Sequence, residues 1–243
     1  MNHAILSNSR RAGRAVASAL LALAAVLAAP TLPASAAAIS AEEGSTRTLY
    51  LVLIRQARLD GKARAALAYL DDFDRQHPGD IEAQILRVNC LLDLGQVYAA
   101  WTAVSRIPAG IRNGAAQAAR GHVLAAQGRW NEAAAQYGLA LDSSPADPMI
   151  ANALGYAQLR AGASEQAVET LKGALDLLAP HSAESAVARN NLGLALTMAG
   201  RPAEAARLID DPRERKRLSA QFANEAARLL AQPAASGTGA PAL

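Results

Sequence analysis

Gly121-His122-Val123-Leu124-Ala125-Ala126-Gln127-Gly128-Arg129-Trp130-Asn131-Glu132-Ala133, followed by Tyr137, Ala140, Leu141 and Pro145, decides the fold. An apolar, helix-forming run stops at a glycine, turns, and resumes with small residues until a proline ends it. The pattern recurs along the chain. Gly61, Gly95, Gly128, Gly162 and Gly200 follow one another at intervals of 34, 33, 34 and 38 residues. Five residues after each stands an alanine: Ala66, Ala100, Ala133, Ala167 and Ala205. Seven before stand Ile54, Val88, Gly121, Gly155 and Gly193, and Pro78, Pro108, Pro145 and Pro180 close units. A fixed period of this length marks a stacked repeat, each unit being one supersecondary element. The pre-turn glycine can take the left-handed conformation that ends a helix. Pairs of small residues such as Gly155 and Ala167 let two backbones approach, and Leu154, Leu171 and Leu175 fill the groove between them. A single hairpin cannot bury its apolar face, so neighbours must stack.

These units resemble the tetratricopeptide repeat. Asn152-Ala153-Leu154-Gly155 through Ala174 and Asn191-Leu192-Gly193 through Ala205 match the pattern after the unit at Gly121; those near Arg47 and Ile81 are more diverged. The resemblance implies an all-α fold, a right-handed α-solenoid of about five helix hairpins over residues 47–231. The 38-residue interval predicts a surface loop around Ala179 to Ala183. The fifth unit ends early at Asp210-Asp211-Pro212, and residues 213–231 read as a capping helix with Leu218, Phe222, Ala226 and Leu229 on one face. Arg213, Arg215, Lys216 and Arg217 at its start read as a solvated basic face. Residues 37–46 are expected to be a linker and residues 232–243 a disordered tail.

Residues 1–36 read as a secretory signal. Arg10, Arg11 and Arg14 precede an apolar run over residues 15–29, and Ala34-Ser35-Ala36 offers a cleavage site. The run falls short of the roughly 20 residues that span a bilayer. Ser9-Arg10-Arg11 leaves general and twin-arginine export both open. This segment also explains the basic balance. Its three arginines, taken from the 24 basic residues, leave 21 against 21 acidic residues. A neutral body gives no electrostatic reason to bind nucleic acid. The remaining chain is expected in the periplasm, without an integral membrane span. The sole cysteine, Cys90, lies far from the cleavage site, so neither a lipid anchor there nor an internal disulfide is available.

No catalytic constellation is legible, and no enzyme, cofactor or metal is expected. His3, His77, His122 and His181 are scattered, and the glycines sit at helix ends rather than in a phosphate-cradling loop. What remains is surface. In tetratricopeptide repeats the first helix of each hairpin lines a concave face through its fifth, ninth, twelfth and thirteenth positions, with the pre-turn glycine fifteenth. That resemblance implies partner-binding roles for Arg55 and Arg58, Asn89, His122, Asn152, Tyr156 and Arg160, and Asn190 and Thr197. Asparagine amides suit a peptide backbone, arginines suit carboxylates, and Tyr156 offers a flat apolar contact.

Leu49-Tyr50-Leu51-Val52-Leu53-Ile54-Arg55-Gln56, Leu86-Arg87-Val88-Asn89 and Asn190-Asn191-Leu192-Gly193 further resemble the TadD-type component of tight-adherence (Flp) pilus systems. That family implies an envelope repeat protein supporting assembly of the pilus secretion apparatus. Its members are commonly lipoproteins, and this chain has no lipobox cysteine. The expected partner is therefore a protein or peptide segment of an envelope assembly. Two other readings stay open: an adaptor for polysaccharide export or cell-wall synthesis, and an enzyme or carrier with a site inside the superhelix. Self-association through an end of the solenoid also stays open.

Overall fold

The computed structural model describes residues 34–231. Residues 1–33 of the expected signal over 1–36, and the expected tail over residues 232–243, lie outside the described residues, and Ala34 to Ala36 begin a helix. The chain divides into two compact units, Met1–Glu43 and Gly44–Leu243. Eleven α-helices and no strand are present among the described residues. Helix α1 (Ala34–Leu59) runs through residues 37–46, where a linker was expected. Ala37, Ala38, Ala41, Glu42 and Glu43 are all strong helix formers, so the helix extends N-terminally past the repeat boundary.

Five hairpins follow the predicted phase. They are α1 with α2 (Ala63–Gln76), α3 (Ile81–Asp93) with α4 (Val97–Ser105), and α5 (Gly114–Ala126) with α6 (Trp130–Ser143). Then come α7 (Pro148–Arg160) with α8 (Ser164–Asp176), and α9 (Ala183–Met198) with α10 (Pro202–Arg207). The single helix α11 (Pro212–Ala231) closes the series. The five turn glycines have φ between 70° and 87°. After each, the next N–H donates to a carbonyl five residues back, as Arg129 does to Leu124 at 2.9 Å and Arg201 to Leu196 at 2.7 Å. This closure satisfies carbonyls that a helix end would otherwise leave unpaired. The helices that open units two to five start differently. Asp80, Asn113, Asp147 and Ser182 each accept a backbone N–H from two or three residues ahead.

In the third and fourth hairpins the close approach is set by the glycine seven residues before the turn. A Cβ at Gly121 would stand 2.6 Å from Tyr137 Cε1, and one at Gly155 2.5 Å from Leu171 Cγ. The large residue of the second helix, rather than the paired alanine, therefore fills the notch. Tyr137 and Leu171 are both buried, and burying a side chain of this size contributes about 1.5–3 kcal/mol. In the fifth hairpin the second helix, α10, has only six residues. Phe222 of α11 fills the notch at Gly193 instead. The expected capping helix is thus a structural completion of the fifth unit, with Phe222 and Ala226 buried and Leu218 and Leu229 packed beside them. The expected loop lies between α8 and α9, where His181 has a φ of 62°.

The first helices α3 and α5 touch, as do α7 and α9, while among the described residues no two second helices make a comparable contact. Within this unit the first helices therefore line the concave side. Cys90 is fully buried among Leu70, Phe73 and Leu86, and burial raises its thiol pKa. This is the setting of an inert core cysteine.

Candidate groove site

The concave face divides into two parts. Toward the N-terminus, the predicted arginines hold carboxylates of the next unit. Arg55 pairs with Glu82, and Arg58 donates to Asp93 at 2.6 and 3.2 Å. Asn89 is half-buried on α3, four residues before Asp93 in sequence. His122 on α5 is exposed, with its ring 5.4 Å from that of Tyr137. Although water reaches the imidazole, the surrounding groove wall leaves its charged form poorly solvated. Desolvation, with the nearby Arg58 guanidinium, lowers its pKa, and Asp93 opposes the shift. Solvent-exposed ion pairs of this kind are worth about 0–1 kcal/mol, so an incoming carboxylate can exchange with Asp93 or Glu82 at little cost.

Toward the C-terminus, the geometry is more elaborate. A cavity of about 360 Å³ opens on the concave side. It is lined by Trp130, Tyr137, Asn152, Tyr156, Asn191 and three alanines. Asn191 Nδ2 donates to Asn152 Oδ1 at 3.0 Å, joining α9 to α7. An asparagine amide has two donors and two acceptor sites, so each side chain keeps capacity for a further partner. Tyr156 meets Trp130 edge-on, with centroids 5.9 Å apart. The Arg160 guanidinium lies 4.3 Å over the Trp130 ring, and its Nη1 donates to Tyr156 Oη at 3.2 Å. Among the described residues, no carboxylate forms an ion pair with Arg160. This cation is held by aromatic faces, an arrangement worth about 0.5–1 kcal/mol at an exposed site.

Three of the predicted residues, Asn152, Tyr156 and Arg160, therefore come together. Thr197 does not line this cavity, and its hydroxyl donates to the Gly193 carbonyl one turn back at 2.8 Å. Asn190 is exposed and lines a different cavity of about 440 Å³ between α9 and α11, with Arg189, Leu218 and Phe222. Its neighbour Asn191 takes the groove position. Trp130 and Asn191 were not anticipated. Trp130 lies at the start of a second helix, and only its approach to α7 brings it to the groove.

The titratable groups show no acid–base arrangement. Burial pushes the Tyr137 phenol up, and desolvation by the groove wall, with Arg58, pushes the His122 imidazole down, each toward its neutral form. Among the described residues, no three metal-ligating side chains converge, and no helix is long and apolar enough to cross a membrane. The basic residues of α11 are partly spent locally: Arg215 donates to the carbonyls of Ile209 at 2.8 Å and Asp210 at 3.1 Å.

No protein-family profile matches the chain, and no curated protein matches it in sequence. Solved structures do match. The thermophilic tetratricopeptide-repeat protein TTC0263 of Thermus thermophilus is 20% identical, with a TM-score of 0.58 over 76% of this chain and 100% of that one. MamA, from residue 41 to its end, of Desulfovibrio magneticus RS-1 is 21% identical, with a TM-score of 0.53 over 72% of this chain and 96% of that one. With phased left-handed glycines, filled notches and these neighbours, the chain has the all-helical fold of tetratricopeptide-repeat proteins.

Proposed function

We propose that this chain is a periplasmic scaffold whose concave groove holds a protein segment during assembly of a tight-adherence pilus or related secretion machine. The observation that carries the groove reading is the cluster of Trp130, Tyr156 and Arg160 beside the bonded Asn152–Asn191 pair. It offers an apolar wall, an aromatic-held cation without a carboxylate, and amides able to meet a peptide backbone. Fixed aromatic and arginine side chains are the groups that most often dominate protein interfaces. A cavity lined by alanines, aromatic rings and amides, with no carboxylate or histidine in its lining, suits holding better than acid–base chemistry. The tetratricopeptide fold alone does not establish the role.

The envelope location rests on the leader over residues 1–36, and the pilus on the resemblance of the segments at Leu49, Leu86 and Asn190. Export predicts a product cleaved near Ala36 by mass spectrometry; a full-length cytoplasmic product refutes it. A photoreactive residue at Tyr156 tests the groove in the native envelope. It should capture a partner protein, and Arg160→Ala should abolish the capture. Crosslinks formed only from the outward position Glu169 would contradict groove binding. Capture of polysaccharide-export or cell-wall proteins would keep the scaffold and replace the pilus.

A further inference from the structure

We infer that the C-terminal half of the groove selects an extended protein segment carrying an aspartate or glutamate. The acid binds beside Arg160 and Tyr156, about four residues from the peptide unit held by Asn152 and Asn191. This rests on the groove reading above and adds what the segment must carry.

The donors select the acid. Arg160 lies over the Trp130 ring and donates through Nη1 to Tyr156 Oη. That bond leaves the other guanidinium N–H groups and the phenol hydrogen able to donate. A cation and a hydroxyl therefore stand side by side, and the wall around them holds no acid. Helices α5 and α7 contain neither aspartate nor glutamate. Asp147, ahead of α7, accepts the N–H groups of Met149 and Ile150 at the opposite end from Arg160. The one carboxylate of α9 is Glu184, in its first turn, about two turns before Asn191. On α6, Glu132 is paired with Arg129, and Asp142 is exposed at the far end from Trp130. The N-terminal half differs. Glu82 and Asp93 of α3 already face Arg55 and Arg58, so an acid arriving there exchanges one carboxylate for another. At Arg160 it brings a charge-assisted hydrogen bond to a cation that has no anion. Because the Trp130 ring holds the guanidinium in place, binding orders it less than it would a loose arginine.

The amides select the backbone. Asn191 donates to Asn152, and both keep donor and acceptor capacity. A helical ligand has already satisfied its interior N–H and C=O groups, while an extended one presents both. Arg160 lies eight residues after Asn152, about 12 Å along α7. An extended chain covers that distance in about four residues. Between these anchors, Tyr156 and Trp130 wall the cavity with its alanines, which suits an apolar side chain of the same segment.

Random dodecapeptides displayed on phage, panned against the chain purified as the cell makes it, test this. Enriched peptides should carry an aspartate or glutamate near an apolar residue. In synthetic copies, replacing that acid by its amide should weaken binding about tenfold or more by fluorescence anisotropy. Arg160→Gln should weaken the acid peptide equally, with an unchanged thermal melt, and should bind acid and amide peptides alike. Arg58→Gln should leave the ratio of the two affinities unchanged. Transferred nuclear Overhauser effects should show the bound peptide extended; a bound helix contradicts the inference. Enrichment without acids, or an acid preference that survives in Arg160→Gln, sinks the acid selection, and peptides that still need Trp130 and Asn152 would keep the groove. Peptides indifferent to both Trp130→Ala and Asn152→Ala, or no enrichment at all, remove the groove reading and this inference with it. Polygalacturonate that displaces the peptide from the wild type as well as glutamate peptides do, at matched carboxylate concentration, would assign the site to an acidic glycan and overturn the protein segment.

Discussion

Gly193→Ala is expected to change sign with its surroundings. In the middle of α9, alanine is favoured over glycine by about 1 kcal/mol of helix propensity. At this site the new Cβ would stand 2.6 Å from Phe222 Cζ. Phe222 is buried and backed by Ala226, Leu192 and Leu196, so α11 must shift to make room. Overpacking of this kind costs about 1–3 kcal/mol. The net effect on the wild type is destabilisation by up to about 2 kcal/mol. Phe222→Ala alone should cost about 3 kcal/mol, the lower end of the range for a buried phenylalanine, because a terminal helix can relax. With Phe222→Ala already present, the clash is gone and Gly193→Ala should stabilise by about 1 kcal/mol. Urea unfolding followed by circular dichroism gives the four corners of the cycle. Hydrogen exchange across α9 to α11 should accompany it, because repeat arrays need not unfold in one step. The expected coupling is about 1–3 kcal/mol. If Gly193→Ala stabilises the wild type as much as it stabilises the Phe222→Ala variant, Phe222 does not fill this notch and the account of the fifth unit fails.

Gly95→Ala isolates backbone conformation, since φ is 70° and a Cβ there meets no atom within 4 Å. It should cost about 1–2 kcal/mol in urea unfolding, and Gly95→Asn should cost less; equal stability of all three chains would contradict a left-handed turn. His122 should titrate below its ordinary value of 6.5 by NMR. Arg58→Ala should move it up and Asp93→Asn further down; no response to either would separate it from the groove charges. Folding lowers this pKa, so the contribution of His122 to stability is present above 6.5 and is lost as pH falls through the folded value.

Much of the fold was legible because its determinants are local. A left-handed turn needs glycine, and a close helix approach needs a small residue, so both leave marks at a fixed period. Residues 37–46, expected as a linker, are helical for an equally local reason: alanine and glutamate favour a helix there, and the single Gly44 weakens it without ending it. The site was less legible. Tyr156 and Arg160 were implied by the resemblance to tetratricopeptide repeats, which assigns groove positions along one helix. Trp130 comes from a different hairpin, and its place depends on how α6 meets α7. Asn191 rather than Asn190 reaches the groove. The position-by-position expectation for the fifth unit rests on a second helix of ordinary length, and α10 is not one. The notches at Gly121 and Gly155 are filled from sixteen residues downstream, while the one at Gly193 is filled from Phe222. No short-range pattern encodes that substitution.

The six-residue α10 and the borrowed phenylalanine also bear on how such an array can lengthen. A hairpin duplicated after Gly200 would have to displace α11 from α9 before it could dock, uncovering Leu192 and Leu196. A hairpin duplicated between Gly95 and Gly162 meets ordinary neighbours on both sides, with the notches at Gly121 and Gly155 filled from within their own units. Gain or loss of units in descendants of this chain should therefore be confined to its interior, while the segment from α9 to α11 is inherited as one block.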